Sequence, residues 1–166
     1  PLTNLLSRVA MSDATSDNII DSTDCFKVKL PVTVVANGQQ VSVNSEEDFA
    51  TIESIFNEYP NENDTIEFVF PITVIYPDYQ EVTFNSQSEF DALAYACTAT
   101  GPGPVFDEPI PCFSIVYPIT IQGYASAVQQ AQTYTINSNA ELFLFLLNLS
   151  STEYYSISYP LSIINP

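Results

Sequence analysis

The stretch Phe68-Val69-Phe70-Pro71-Ile72-Thr73-Val74 decides how this chain is to be read. Its apolar residues Phe68, Phe70, Ile72 and Val74 alternate with Val69, Pro71 and Thr73, the two-residue period of a strand with one strongly buried face. Proline brings no donor to a hydrogen-bond ladder, so Pro71 marks an edge, a bulge or a strand start. The pattern returns in Cys25-Phe26-Lys27-Val28-Lys29-Leu30-Pro31-Val32-Thr33-Val34, in Cys112-Phe113-Ser114-Ile115-Val116-Tyr117-Pro118-Ile119-Thr120-Ile121 and in Tyr155-Ser156-Ile157-Ser158-Tyr159-Pro160-Leu161-Ser162-Ile163. Its recurrence points to one geometric device used repeatedly, at a spacing typical of repeat arrays.

Each of the first three copies runs on into an equally regular continuation. A turn comes first: Asn37-Gly38 favours a type I′ hairpin, Tyr76-Pro77-Asp78-Tyr79 takes its place in the second copy, and the third inserts several residues around Gly123. Return strands are expected at Gln40–Val43, Glu81–Phe84 and Thr133–Ile136. Each leads to an Asn-Ser pair whose serine, Ser45, Ser86 or Ser138, is followed three residues on by Asp48, Glu89 or Glu141. A serine hydroxyl at that distance bonds the third amide while the acid bonds back and complements the helix dipole, which is a capping box. The helices so opened carry Phe49, Ile52, Ile55 and Phe56; Phe90, Leu93, Ala94 and Cys97; and Leu142, Phe145, Leu146 and Leu149, one apolar face each.

The expected fold is therefore α+β, built of tandem ββα repeats, each an antiparallel hairpin with one amphipathic helix. An N-terminal capping helix over Leu2, Leu5, Leu6 and Val9 is placed on the first repeat. The organisation is an N-terminal helix and loop at 1–24, repeats at 25–65, 66–111 and 112–153, and at 154–166 the first strand of an incomplete fourth repeat.

With 166 residues and 46% hydrophobic content the chain can bury a core. Twenty acidic residues against 3 basic ones give a formal net charge of −17, which repels a phosphate backbone and disfavours anionic membrane surfaces. No apolar run reaches bilayer length. Threonine, serine, asparagine and tyrosine stand where lysine and arginine usually face solvent, which points outside the cytoplasm, and a leader removed ahead of Pro1 is expected.

The 3 cysteines leave at least one without an internal partner. A Cys97–Cys112 bridge, closing the Pro/Gly connection 98–111, is the favoured pairing. Cys25, at the repeat position of Cys112, offers Cys25–Cys97 as the competitor, and three free thiols are the remaining option.

Catalytic chemistry has little to work with. Histidine is absent, which removes imidazole metal sites and His-activated nucleophiles. Tryptophan is absent too. Carboxylates at Glu46-Glu47-Asp48 and at Glu58, Glu62 and Asp64 sit at a helix cap and in a loop, where solvation and the helix dipole account for them better than paired acid catalysis does. Only Cys25, near Lys27 and Lys29, is even a weak case for a reactive thiol, and a structural role accounts for it better. No cofactor is expected; calcium is the one metal these oxygen ligands suit, with Glu62 and Asp64 as weak candidates. Tyr76, Tyr79, Tyr124, Tyr154 and Tyr155 offer either a recognition surface or ordinary cross-strand packing.

The opening Pro1-Leu2-Thr3-Asn4-Leu5-Leu6 with Arg8-Val9, the Ile20-Asp21-Ser22-Thr23-Asp24-Cys25-Phe26 stretch and the two repeated motifs together resemble uncharacterised surface lipoproteins of the Flavobacteriia and wider Bacteroidota. The resemblance implies export, a lipidated cysteine upstream of Pro1, display on the outer membrane and further repeats after Pro166. Extracytoplasmic proteins of that group carry O-glycans at Asp-[Ser/Thr]-[small apolar or Thr], a motif similar to Asp21-Ser22-Thr23 and Asp64-Thr65-Ile66, which makes Ser22 and Thr65 the expected modification sites, both in exposed loops.

Two functions are carried forward. One is a non-enzymatic scaffold or accessory subunit of an outer-membrane or extracellular assembly, whose partners are other surface proteins or further copies of itself. Its docking element is the edge formed by Tyr155, Ile157, Tyr159, Leu161 and Ile163, a strand without its hairpin mate. The other is a glycan- or calcium-binding module of a surface nutrient-uptake system.

Overall fold

The computed structural model describes residues 2–14, 18–21, 23, 25–58, 63–97, 110, 112–125 and 130–165. It is mixed α+β, with four α-helices and several small antiparallel sheets. The chain divides into two compact units, a central one at Ala14–Phe106 and a terminal one made of Pro1–Asp13 with Asp107–Pro166.

In the central unit each Pro-centred segment is broken at its proline. The first yields β1 (Lys27–Val28) and β2 (Val32–Ala36), the second β4 (Ile66–Phe68) and β5 (Ile72–Ile75). Return strands β3 (Gln39–Val43) and β6 (Glu81–Phe84) complete two sheets ordered β3-β2-β4 and β1-β5-β6. The half-strand before each proline thus joins the sheet of the other segment. The boundary expected at 65/66 runs inside a sheet, because proline interrupts the ladder and frees each half to find a different neighbour. Helices α2 (Phe49–Glu58), entered through a 3-10 turn at Glu46–Asp48, and α3 (Gln87–Ala96) follow the hairpins.

The terminal unit repeats the break. The third segment yields β7 (Ser114–Ile115) and β8 (Ile119–Ala125), the fourth β10 (Glu153–Ile157) and β11 (Ile163–Ile164). With β9 (Gln130–Ile136) they form a sheet ordered β10-β8-β9 and a two-stranded sheet of β11 and β7. The fourth segment is therefore not one strand lacking a mate, as expected, but two short strands each paired on one side.

The register around the prolines is the same in both units. The residue three after one proline opposes the residue three before its partner: Val34 with Phe68, Val74 with Val28, Ile121 with Ile157 and Ile163 with Ile115. One backbone bond recurs four times as well: Lys29 N to Thr73 O at 2.8 Å, Val69 N to Thr33 O at 2.9 Å, Val116 N to Ser162 O at 3.0 Å and Ser158 N to Thr120 O at 2.9 Å. The peptide bonds before Pro31, Pro71, Pro118 and Pro160 are all cis.

Turns and caps form as their residues dictate. Asn37 and Gly38 have φ of 45° and 80°, the pair of positive values a type I′ turn requires. Asp48 accepts from Asn44 N at 2.7 Å, Glu89 from Asn85 N at 2.8 Å and Glu141 from Asn137 N at 2.7 Å. Ser86 Oγ and Ser138 Oγ accept the amides of Glu89 and Glu141 at 3.4 and 3.2 Å.

The central core gathers Phe26, Val28, Val34, Val43, Ile52 and Val74, all nearly or fully buried, with Phe90 and Leu93 of α3. Phe26, Phe68 and Phe84 meet Phe90 at centroid distances of 5.6, 4.9 and 6.5 Å. In the terminal unit α4 (Asn139–Leu147) is leucine or phenylalanine at every position from Leu142 to Leu147, so one sheet face cannot cover it. Helix α1 (Leu2–Ala10) packs on α4, burying Leu6, Val9 and Ala10 together with Phe143 and Leu146. The N-terminal helix therefore serves the terminal unit and not the first repeat, where the sequence placed it.

Candidate functional site: an open sheet edge and an aromatic groove

Counting from the prolines sets matching positions of the two units side by side. Val74, three residues after Pro71, is 0% exposed, whereas Ile163, three after Pro160, is 57% exposed. The neighbours explain the difference. Strand β5 is flanked by β1 and β6 and α3 packs with β6, whereas among the described residues β11 pairs with β7 alone. Tyr159, before Pro160, is the most exposed large side chain of the segment at 84%, and Ile164 and Val116 are exposed beside it. Single exposed apolar residues are ordinary on a protein surface; several near an unpaired strand edge make that edge a candidate for strand addition.

The five residues expected at a partner edge separate accordingly. Tyr159 and Ile163 are exposed and Leu161 partly so, in β11 and the residues that lead into it. Tyr155 and Ile157 lie in β10 and turn inward: Tyr155 packs against Phe145 at 6.1 Å and its hydroxyl shares a hydrogen bond with Thr3 Oγ1 at 3.2 Å.

The cysteine pairing is corrected. Cys25 bonds Cys97, with Cα atoms 5.8 Å apart, and Cys112 is a free, exposed thiol. Cys97 ends α3 and Cys25 leads into β1, so both belong to the central unit, while Cys112 opens β7 of the terminal one. The favoured Cys97–Cys112 bridge rested on sequence proximity across a loop; fold proximity selected the competitor.

A second feature of the terminal unit has no motif of its own in the sequence. The hairpin β8–β9 is two residues longer per strand than β2–β3, seven against five, and together with α4 it forms a groove of about 580 Å³. Tyr134 lies over Gly123, whose missing side chain makes room: a Cβ there would stand 2.8 Å from Tyr134 Cε2. Tyr134 stacks near Phe145 at 5.1 Å and donates its hydroxyl to Gln132 at 2.6 Å. Exposed Tyr124, Tyr154 and Leu144 continue the apolar lining, with Gln130 and Asn148 at the rim. The insertion around Gly123 was the available signal.

The remaining sequence candidates have structural partners or lie outside the described residues. Asp64 accepts from Asn37 Nδ2 at 3.0 Å, and Thr65 N donates to Asn37 Oδ1 at 2.8 Å, so both hold the tight turn; Thr65 is exposed. Glu62 and Ser22 lie outside the described residues. Among the described residues no three acidic or cysteine side chains converge on a metal position. Asp21, first residue of one expected glycosylation motif, is 9% exposed rather than on an open loop. Its Oδ2 accepts from Asn18 Nδ2 at 2.7 Å and Val28 N at 3.3 Å, while Oδ1 meets no donor among the described residues. Burial pushes this carboxyl from 3.8 up to about 6, against the lowering effect of those bonds. Tyr117 donates to the buried Asn139 Oδ1 at 2.6 Å, and burial, then Asp13, hold its hydroxyl above the usual range. Asp48 and Glu153 are held below the usual range by the backbone amides they accept. Their carboxylates serve caps and turns.

Compared with protein-family models, curated proteins and solved structures, the chain matches none.

Proposed function

We propose that this chain is a non-enzymatic binding module, a scaffold or accessory subunit of an extracytoplasmic assembly, and that the open edge of β11 is where a protein partner docks. The carrying observation is the contrast between buried Val74 and exposed Ile163 at matching positions. Among the described residues a further strand flanks β5 in one unit, and none flanks β11 in the other. The organisation behind it is four related copies in tandem, the first three hairpin-plus-helix, with the half-strands exchanged between neighbouring copies. The Cys25–Cys97 disulfide supports an oxidising compartment, and the resemblance to surface lipoproteins of Bacteroidota supports a lipid-anchored place on the outer membrane. Other surface proteins are then the partners, with no part for nucleic acid. Thr65, exposed in its turn, stands as the O-glycosylation site.

The test is the mass of the particle containing the full-length protein after gentle detergent extraction, for the natural sequence and for a double variant, Ile163→Lys with Ile164→Lys. A particle of fixed composition that loses its partner only in the variant is expected, since charge on a strand edge blocks strand addition. A lone monomer in both would overturn the assignment.

The groove supports a second reading, a glycan-binding site in a nutrient-uptake system, because three tyrosines and Phe145 offer faces for sugar rings beside amide side chains. A panel of neutral oligosaccharides that leaves the melting temperature unchanged removes it, because a ligand preferring the native state must raise that temperature.

A further inference from the structure

The groove of the terminal unit is built from two regular faces. Glu141, Leu144, Phe145 and Asn148 stand at i, i+3, i+4 and i+7, one stripe along α4 and the residue that caps it. Opposite runs one face of β9, the alternate positions Gln132, Tyr134 and Ile136. The rings of Tyr134 and Phe145 stand 5.1 Å apart, Tyr134 held by its hydrogen bond to Gln132 and seated over Gly123. Charge enters this groove with one sign only. Glu141 and Glu153 line it, and none of its described lining residues is basic. The donors to both carboxylates are uncharged: Asn137 to Glu141 at 2.7 and 3.0 Å, and Ser150 N to Glu153 at 2.8 Å. Their negative charge is therefore not cancelled, and the Ser150 amide holds the Glu153 carboxyl below the usual carboxylate range. The two differ in setting. Glu141 lies in the first turn of α4, where the positive end of the helix offsets it, whereas Glu153 shares the lining with Asn148 and Leu149, just past the negative end.

We propose that this groove binds a small organic cation, an alkylammonium compound whose charged head is held by Glu153 and the rings of Tyr134 and Phe145 and whose apolar body lies along the α4 stripe. Ring faces attract a cation through their quadrupole, and a carboxylate at the same site adds its own field. Other ligand classes use less of what is there. A neutral sugar gains nothing from the charge of Glu153, and an anion is repelled by both carboxylates and by a chain of net charge −17. A bare metal ion needs several oxygen ligands converging, and no such group of acidic side chains occurs among the described residues. The inference shares with the sugar reading only that the groove is a ligand site, and it does not involve the β11 edge.

Choline and 3,3-dimethylbutan-1-ol have nearly the same shape and differ in charge, which makes them the probes. Each is titrated into the whole protein at low salt and followed by the NMR shifts of the Tyr134 and Phe145 ring protons. Choline is expected to bind about tenfold more tightly than the alcohol, and its binding should weaken as salt is raised. Glu153→Gln keeps an acceptor for the Ser150 amide and removes the charge, so it should lower choline affinity about tenfold and leave the alcohol unchanged. Tyr134→Leu, changed at an exposed side chain, should weaken choline more than the alcohol, and it tests the ring without touching either carboxylate. Equal affinity for the two probes, or choline binding unaltered by Glu153→Gln, would overturn the proposal. Neutral oligosaccharides that shift the same ring protons while choline does not would also overturn it and leave the sugar reading standing; no response to either removes both.

Discussion

The two units are built on the same broken strands and differ in what closes them. In the central unit two three-stranded sheets share one core, in which Phe26, Phe68 and Phe84 gather around Phe90 and a disulfide joins Cys25 to the end of α3. In the terminal unit, among the described residues, one sheet has three strands and the other two, and α1 packs on a helix that is leucine or phenylalanine from Leu142 to Leu147. Among the described residues the same broken strands thus leave β5 flanked on both sides in one unit and β11 open on one side in the other.

The sharpest way to break the comparison is to strike its matched core positions. Phe26→Ala should destabilise the central unit by about 3–5 kcal/mol, the range for emptying an aromatic site in a packed core. Phe113→Ala should cost the terminal unit less than half as much, because that side chain is half-buried. Denaturant titration combined with hydrogen exchange in each unit separates the two. Equal losses would mean that the open half is as well packed as the closed one.

Next in size is the covalent difference. Replacing Cys25 and Cys97 by serine should lower the stability of the central unit by about 2–4 kcal/mol, through release of a loop spanning 72 residues. Cys112→Ser, at an exposed thiol, should stay within about 0.5 kcal/mol of the parent.

Asp21 supplies a pH signature confined to the central unit. Its carboxyl titrates at about 6 when folded, against 3.8 for the ordinary group. A raised folded value means that protonation favours the folded state, so this contribution is present below about 4 and is lost as pH rises through about 6. The Asp21→Asn variant lacks this titration. Relative to the parent it should therefore gain roughly 2–3 kcal/mol between pH 4 and pH 7, the equivalent of a shift of about two pH units. A parent-minus-variant difference flat across that range would show that Asp21 is solvated.

The smallest effect tests where the units agree. Ser86→Ala and Ser138→Ala each remove a hydroxyl that accepts the third amide of a helix, and each should cost about 1 kcal/mol. A clear inequality would mean that packing, rather than capping, holds one of the two helices in place.

Much of this molecule is legible in short stretches of its sequence. The prolines, the Asn37-Gly38 turn, the return strand at Glu81–Phe84 and the capping acids all stand where the local pattern put them, because each is decided by residues close together along the chain. What escaped were choices between equally satisfactory partners. A half-strand of period two can pair within its own copy or with the next, since both routes bury the same face and fill the same ladder. The groove at Tyr134 escaped because its depth depends on a hairpin extension lying over α4.

By itself, then, the sequence determined an α+β chain with recurring hairpins and capped helices, and a strongly negative net charge. Propensity, turn geometry and charge act over a few residues, or on the sum of all of them. Only the tertiary structure decided that strands cross between the Pro-centred segments, that Cys25 takes Cys97, that α1 covers α4 and that Asp21 is buried. Each of those depends on which distant surfaces meet, and burial of apolar area rewards any complementary pair without regard to its separation along the chain.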